Sequence, residues 1–492
     1  MKTNTLDFDA QALREKILDL AMRGKLVPQD PNDEPASVLL EKIKAEKEQL
    51  IKEKKIKKKD WNLPEKHKTD NLPQGWQKTS LKEITTPFTL NDGDWILSKN
   101  MIPYSDVKLI QLGSIGEGKY IDKGFKYISQ DTFDELHCTE IKPGYLLINR
   151  LINKQKMMAT ILPKIEGKLI TAVDICWIAP SSYFNQEFMM YQLLSPAFQN
   201  KVNKLTSGST RKRISKGNLT SFELFLPPLE EQSRIAAKIA QLFALLRKVE
   251  SSTQQYAKLQ TLLKSKVLDL AMRGKLVEQD PHDEPASVLL EKIKAEKEQL
   301  VKEGKIKKSK PLPPITDEEK PFDIPDSWEW GRLGDILKPE VHKKPVKDFY
   351  YIDIASIDNQ YNKVVNPKKV IVKKDKIASR ARQVLENDDI LFSVVRPYLR
   401  NIAMVPKDNN YKIGTTGFYV LKPYELINRK YIFCLTLSNY TVTNMTQKMR
   451  GDNSPSIRKS DMQNLIIPIP PRMEQDKIVN MIIRIYSAIN LN

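Results

Sequence analysis

Apolar residues recur at alternating steps of four and three between residues 229 and 273, at Ile235, Ile239, Leu242, Leu246, Val249, Thr253, Tyr256, Gln260, Leu263, Val267 and Leu270. Nine of these eleven positions are apolar, which predicts a coiled-coil seam on one long helix rather than a helix lying on a globular core. Thr253 and Gln260 weaken the seam near its middle. A second helix is predicted in DEPASVLLEKIKAEKEQL at 33 to 50: Asp33 is placed to cap it, Pro35 suits the first turn, and Val38, Leu39, Ile43 and Leu50 keep one face. Short β-rich runs, LLIN at 146 to 149 and ILFSVV at 390 to 395, predict strands. MMYQLLSPAFQNKVNKL at 189 to 205 and KYIFCLTLSNYTVTNMTQKM at 430 to 449 each predict one helix.

These patterns occur twice. Residues 17 to 60 align with 267 to 310 at an offset of 250 with seven mismatches in 44 positions. Each copy reads LDLAMRGKLV, QDP and DEPASVLLEKIKAEKEQL, then a lysine-rich tail, KEKKIKKK at 52 to 59 and KEGKIKKS at 302 to 309. Each is followed by an extended segment ending in tryptophan, NLPQGW at Trp76 and DIPDSW at Trp328, where the Pro disfavours helix in the residue before it. Two globular stretches follow and close on related signatures, LFLPPLEEQSRI at 224 to 235 and IPIPPRMEQDKI at 467 to 478, now at an offset of 243. Between these marks the two stretches share little sequence. One duplicated frame therefore holds two different readers.

The same offsets supply a partner for the seam. At 243, Ile235, Ile239, Leu242 and Leu246 correspond to Ile478, Ile482, Ile485 and Ile489; at 250, Tyr256, Gln260, Leu263, Val267 and Leu270 correspond to Leu6, Ala10, Leu13, Ile17 and Leu20. The two ends of the chain together reconstruct the central helix with about one residue missing. The fold expected is α+β: two mixed α/β domains joined by a long antiparallel coiled coil with cyclic pseudo-twofold symmetry, the central helix packing against the two terminal segments laid end to end. A rod of 45 residues at about 1.5 Å each is about 67 Å long, which bounds the separation expected of the two globular stretches. The division expected is 1–27, one half of the split helix; 28–75, first repeat helix and basic linker; 76–228, first globular domain; 229–277, central helix; 278–327, second repeat helix and linker; 328–471, second globular domain; and 472–492, the other half of the split helix.

Length and composition narrow the class. At 492 residues the chain is too long for one ordinary domain. No uncharged apolar run approaches the roughly 18 to 20 residues of a membrane span, and no signal-peptide pattern opens it; a cytoplasmic protein is expected. Cys138, Cys176 and Cys434 lie far apart, as do His67, His137, His282 and His342, so local sequence builds neither a disulfide framework nor a metal cluster. The 80 Lys and Arg outnumber 61 Asp and Glu, giving +19, and a polyanion is the natural partner, because counterion release from nucleic acid rewards such a surface.

The chain shows no self-contained catalytic site. GSIGEGKY at 113 to 120 has Walker-type spacing, but Tyr120 stands where a magnesium-ligating Ser or Thr would be, which makes it a turn between strands. No GxSxG, HExxH or dinucleotide fingerprint occurs, and LPPL, LPPI and IPPR lack the preceding Asn or Asp of an adenine-methyltransferase loop. What recurs is basic loops. TSGSTRKRISKGNL at 206 to 219 offers Ser207, Ser209, Thr210, Arg211, Lys212, Arg213 and Lys216 as phosphate and base-edge donors, with Gly208 admitting close backbone approach. MRGDNSPSIRKSDM at 449 to 462 lies at the 243 offset and offers Arg450, Asn453, Ser454, Arg458 and Lys459. VVRPYLRN at 394 to 401 adds Arg396, Tyr398 and Arg400; its rough equivalent LINRLINKQK at 147 to 156 adds Arg150, Asn153 and Lys154.

GNLTSFELFLPPLEEQSRIAAKIAQLF, TSGSTRKRIS, VVRPYLRN, GTTGFYVLKP and the twin LAMRGKLV repeats resemble the specificity subunit of type I restriction-modification enzymes over nearly the whole chain. SPSIRKSD at 454 to 461 is less basic than STRKRISK, and LINRLINKQK matches the VVRP-type motif poorly. The resemblance implies two target recognition domains, each reading one half of a bipartite, asymmetric site on double-stranded DNA, and helices that dock two modification subunits. Those subunits carry S-adenosylmethionine and methylate adenine at N6; two restriction subunits add translocation and cleavage with ATP and Mg2+ in host defence. It implies no cofactor or catalysis in this chain. The alternative is a stand-alone bipartite DNA-binding regulator, which would bind its site tightly without modification subunits.

Overall fold

The computed structural model describes residues 9–57, 72–153, 156–206 and 212–491, with the side chains of 153, 490 and 491 excepted. Two units divide at Thr253 and Gln254, and each assembles the duplicated frame around its own sheets. A single helix, Leu229–Met272, supplies residues to both.

In the first unit the helix Ala10–Met22 starts at Asp9, whose carboxylate accepts from Ala12 N at 2.9 Å. Leu18, Ala21 and Met22 share a core with Ile235, Ala236 and Ile239 of the long helix, and Arg14 pairs with Glu250. In the second unit Gln260 Nε2 donates to Ile489 O at 2.9 Å and Tyr486 Oη to Lys264 O at 3.0 Å. The rising numbers on one helix meet falling numbers on the other, so Arg472–Leu491 runs antiparallel to its stretch of the long helix.

Of the seam positions, Ile235, Ile239, Leu246, Val267, Ile478 and Ile482 are buried. Leu242, Leu270, Ile485, Ile17 and Leu20 are half-buried, while Leu13, Val249, Tyr256 and Leu263 are exposed. The heptad spacing marks the apolar side of the helix; what covers it changes along its length.

The recurring signatures have a common physical basis. Trp76 Nε1 donates to Glu231 at 3.0 Å and Trp328 Nε1 to Glu474 at 2.9 Å, so the tryptophan ending each linker is locked by the glutamate of the following PPLEEQ or PPRMEQ. The next residue bridges twice: Gln232 Oε1 accepts from Asn185 N and its Nε2 donates to Pro227 O, as Gln475 does with Asn428 N and Pro470 O. Gly24 and Gly274 end the LAMRG turns at φ +64 and +67, where a Cβ would sit 2.5 Å from Pro73 Cγ and 2.3 Å from Pro325 Cγ. Both glycines are thus required by handedness and by space.

Two expectations differ. Asp33 does not cap the helix Ala36–Lys52, whose N-cap is Pro35; it takes an ion pair from Arg234 at 2.6 Å, and Ala36 N donates to Gly75 O instead. Each long helix of the globular stretches is two: Gln186–Leu194 then Pro196–Lys204, and Arg429–Leu437 then Asn439–Gln447. Ser195 and Ser438 break them in extended backbone, each hydroxyl donating to the carbonyl three residues back and accepting from the amide three residues on.

In the first unit a four-stranded sheet orders Leu90–Asp92, Ile175–Ile178, Leu146–Asn153, Lys156–Ile161, and a three-stranded sheet Phe125–Ile128, Val107–Ile110, Lys168–Thr171. In the second a five-stranded sheet orders Ile357–Asp358, Lys363–Val364, Ile402–Met404, Ile390–Ser393, Phe418–Leu421; a four-stranded one orders Lys368–Val370, Phe349–Ile352, Lys412–Thr415, Ala381–Leu385. A two-stranded antiparallel ladder closes each unit, Gln77–Ser80 with Glu223–Leu226 and Glu329–Arg332 with Ile466–Ile469. Residues 113 to 120 form the turn expected of them, with Ile115 bridging Tyr120 and Gly116 N donating to Lys119 O.

Candidate nucleic-acid interface

In each unit the basic loop is laid along the end of a core strand. In the first, Ile152 N donates to Lys212 O and Ile214 N to Arg150 O, so residues 212 to 214 extend the sheet beside Leu146–Asn153. In the second, Arg396 N donates to Pro455 O and Ile457 N to Val394 O. Ile214 and Ile457 are buried and anchor the two loops. Both pairs of candidate segments, far apart in sequence, are therefore brought together.

The charges in the first unit form a partly neutralised cluster. Arg150 is buried: Nη2 donates to Val173 O at 2.6 Å, Nη1 to Ile214 O at 3.4 Å, and Nε faces Asp92 at 3.1 Å. Arg213 pairs with Asp174 at 3.0 Å and Lys216 donates to Asn91 at 2.6 Å. Burial raises the Asp92 carboxyl, opposed by Arg150, Lys216 and Arg213. Lys212 is exposed beside a cleft it shares with Asn200, Asn203 and Lys204. Ser207, Ser209, Thr210, Arg211 and Lys154 lie outside the described residues, and Asn153 ends its strand. Trp95, three residues beyond Asp92 and marked by no motif, is exposed.

In the second unit Arg396 and Arg400 adopt left-handed backbone, φ +48 and +53, around the turn Pro397–Leu399. Arg396 is exposed and donates to Asn453 O at 2.9 Å. Arg400 turns inward, donating to Leu437 O at 2.6 Å and to Asn439, so it ties this turn to the break between two helices. Tyr398, Asn453, Ser454 and Arg458 are exposed; Arg450 pairs with Asp461 at 2.7 Å, and Lys459 with Glu340. Arg150 and Arg400 hold backbone carbonyls, and the exposed donors surround them.

Among the described residues no cluster of His, Cys, Asp or Glu could hold a metal ion, and no helix is long and apolar enough to cross a membrane. Two mixed α/β units on a duplicated frame, each presenting a basic loop, define a two-headed recognition protein. A model of the type I restriction modification DNA specificity domain matches residues 73–260 and 325–492. The chain is 31% identical to the specificity subunit of the type I restriction enzyme EcoAI of Escherichia coli, over 96% of this chain and 88% of that one. It is 34% identical to the EcoEI specificity subunit of Escherichia coli over 67% of this chain, spanning 62% of that relative. A solved chain from a type I R-M system is 19% identical at a TM-score of 0.54, covering 85% of this chain and 91% of that one; it shares the fold. The chain belongs to the specificity subunits of type I restriction-modification enzymes, the non-catalytic members of those complexes.

Proposed function

We propose that this chain selects the DNA sequence for a cytoplasmic type I restriction-modification complex, its domains 76–228 and 328–471 each reading one half of a bipartite, asymmetric site on double-stranded DNA. The observation that carries this is the basic loop hydrogen-bonded along a strand end in both units, although the units otherwise share little sequence. Lys212, Arg213, Arg396, Tyr398, Asn453, Ser454 and Arg458 meet the duplex; Arg150 and Arg400 position the loops.

Two modification subunits dock on the helices and carry S-adenosylmethionine; two restriction subunits bring ATP and Mg2+. Support for docking is the apolar stripe that the second unit's part of the long helix leaves exposed, Tyr256, Leu259 and Leu263, at steps of three and four. An exposed apolar stripe on a helix marks a protein contact.

Exchanging residues 76–228 for those of another family member, co-expressing the chain with its modification subunit and sequencing methylated adenines tests the reading. One altered half-site is expected. Alteration of both halves, or of neither in a folded and assembled chimaera, would refute it; tight site-specific binding by the chain alone, with no assembly, would support a stand-alone regulator.

A further inference from the structure

The small sheets of the two units share a topology. Phe125–Ile128 lies antiparallel to Val107–Ile110, which runs parallel to Lys168–Thr171; Lys368–Val370 lies antiparallel to Phe349–Ile352, which runs parallel to Lys412–Thr415. At the 243 offset, residues 98 to 139 thus correspond to 341 to 382. Their charges do not. The first stretch holds five lysines against six carboxylates, net −1, and the second eleven lysines and arginines against four aspartates, net +7.

All eleven cations are exposed, and among the described residues none is in an ion pair. Arg382 Nε donates to Ser379 O at 3.0 Å and the Lys347 ammonium lies 4.5 Å from the centre of the Tyr411 ring, so the contacts these two make are to a neutral carbonyl and a neutral ring. A stretch of net +7 repels itself and lowers the stability of the unit that carries it unless an external anion neutralises it.

This surface is continuous with the candidate DNA loop. Lys459 contacts Glu340 and lies 3.3 Å from His342 Nε2. Residues 341 to 343 pair along the strand Ala381–Leu385, Lys343 N donating to Arg382 O and Val384 N to Val341 O. From that segment the sheet continues through Ala381–Leu385, Lys412–Thr415 and Phe349–Ile352 to Lys368–Val370 at its edge. Four strand spacings of about 4.8 Å make about 19 Å. A duplex of that length is about six base pairs and carries about eleven phosphate charges.

We infer that the lysine-rich flank of the second unit's four-stranded sheet is a sequence-independent phosphate track gripping the duplex alongside that unit's half-site, and that the first unit has no equivalent grip. The inference rests on the DNA-recognition reading and adds to it a division of labour. One head contributes much of the salt-dependent affinity, while the other holds its half-site by the fewer contacts of its loop.

The test measures binding of the full chain, assembled with its modification subunit, to a fluorescent duplex bearing its methylated sequence across a series of KCl concentrations. The variant Lys368→Gln with Lys369→Gln, Lys373→Gln and Lys374→Gln is compared with Lys119→Gln, Lys123→Gln and Lys126→Gln in the first unit. If about two of the four second-unit lysines touch phosphates, the slope of log K against log salt falls by about 1.8, and affinity at about 0.1 M salt falls about 60-fold. The methylated sequence stays the same, and the first-unit variant leaves the slope within about half a unit of wild type. Equal slopes for wild type and the second-unit variant would overturn the inference. Self-association of that variant at an unchanged slope would also overturn it, assigning the lysines to protection of a sheet edge. Wild-type protein that binds its methylated sequence no better than random duplex would instead count against the DNA reading itself.

Discussion

Replacing Arg150 by Met separates a strut from a DNA contact. The side chain is 4% exposed, and its guanidinium holds Val173 O, Ile214 O and the Asp92 carboxylate. Met keeps the aliphatic stem but strands Asp92 and the carbonyl of Val173. Removing one partner of a buried ion pair costs about 3 to 5 kcal/mol. For a unit of this size that is a fall in Tm of about 6 to 20 °C. Burial already raises the Asp92 carboxyl and Arg150 opposes that rise, so the variant raises it further. A carboxyl with a raised folded pKa contributes stability below its unfolded pKa and loses it as pH climbs. The destabilisation by Arg150→Met is therefore smallest near pH 4 and grows towards neutrality. Because Ile214 N and O both bond to residue 150, affinity for the first half-site falls along with Tm. Scanning calorimetry at two pH values, paired with duplex binding, checks both. A variant that melts like wild type yet loses binding would refute the argument and place Arg150 against DNA. Lys212→Ala, on an exposed side chain, should lose binding with unchanged Tm.

Three further outcomes follow from other contacts. Burial lifts the Asp389 carboxyl to about 6 despite Lys422 at 3.1 Å; its contribution is present below the usual carboxylate range and lost as pH rises through 6. The stability of wild type relative to Asp389→Asn, read from urea unfolding, should accordingly fall by about 2 kcal/mol between about pH 4 and pH 7. Glu231→Gln and Glu474→Gln keep an acceptor for Trp76 and Trp328 while removing a buried charge, so they should hold or raise Tm at neutral pH; Trp76→Phe and Trp328→Phe strand that acceptor and should cost about 1 to 3 kcal/mol each. Leu259→Glu with Leu263→Glu, on side chains 63% and 48% exposed, should abolish co-purification of modification subunits at unchanged Tm; retained assembly would show that they dock elsewhere.

The long helix and the duplicated frame are legible in the sequence, because a period and an offset survive translation into space; that each linker's Trp meets the Glu of the following EQ is seen only in the fold. Coverage is not. Val249, Tyr256 and Leu263 continue the heptad that Ile235 and Ile239 begin, yet they are exposed, since spacing states which side of a helix is apolar and not what lies against it. The break at Ser195 was open to inspection in the following Pro196, which disfavours helix in the residue before it. Ser438 carries no such mark before Asn439. Arg150 and Arg213 sit in equally basic motifs; only the fold puts Asp92 and the carbonyls of Val173 and Ile214 around the first. The excess of lysine between 341 and 382 is plain in the sequence, but its meaning depends on a sheet that joins it to Lys459.

How one frame carries two unlike heads is visible at a lysine present in both copies. Lys47 and Lys297 occupy the same position of identical repeat segments. Lys47 is buried, its ammonium donating to Lys82 O at 3.0 Å and to Glu83 O at 2.5 Å, and burial lowers its pKa to about 8. Lys297 is partly exposed and faces Asp335 at 4.0 Å. The head, not the repeat, decides the difference: the short helix Leu81–Ile84 offers the ends of its backbone, whereas the turn Leu333–Asp335 offers a carboxylate. A long, flexible cation satisfies either. The bonds that fix the frame run from Trp to Glu and from Gln to a proline carbonyl within its repeated signatures. They reach the heads at the helix caps Asn185 and Asn428, an asparagine in both, but touch no residue of the basic loops. The heads can therefore diverge in charge and in contact surface while the frame beneath them is unchanged, which is the property a subunit needs if its sequence specificity is to change without loss of its assembly.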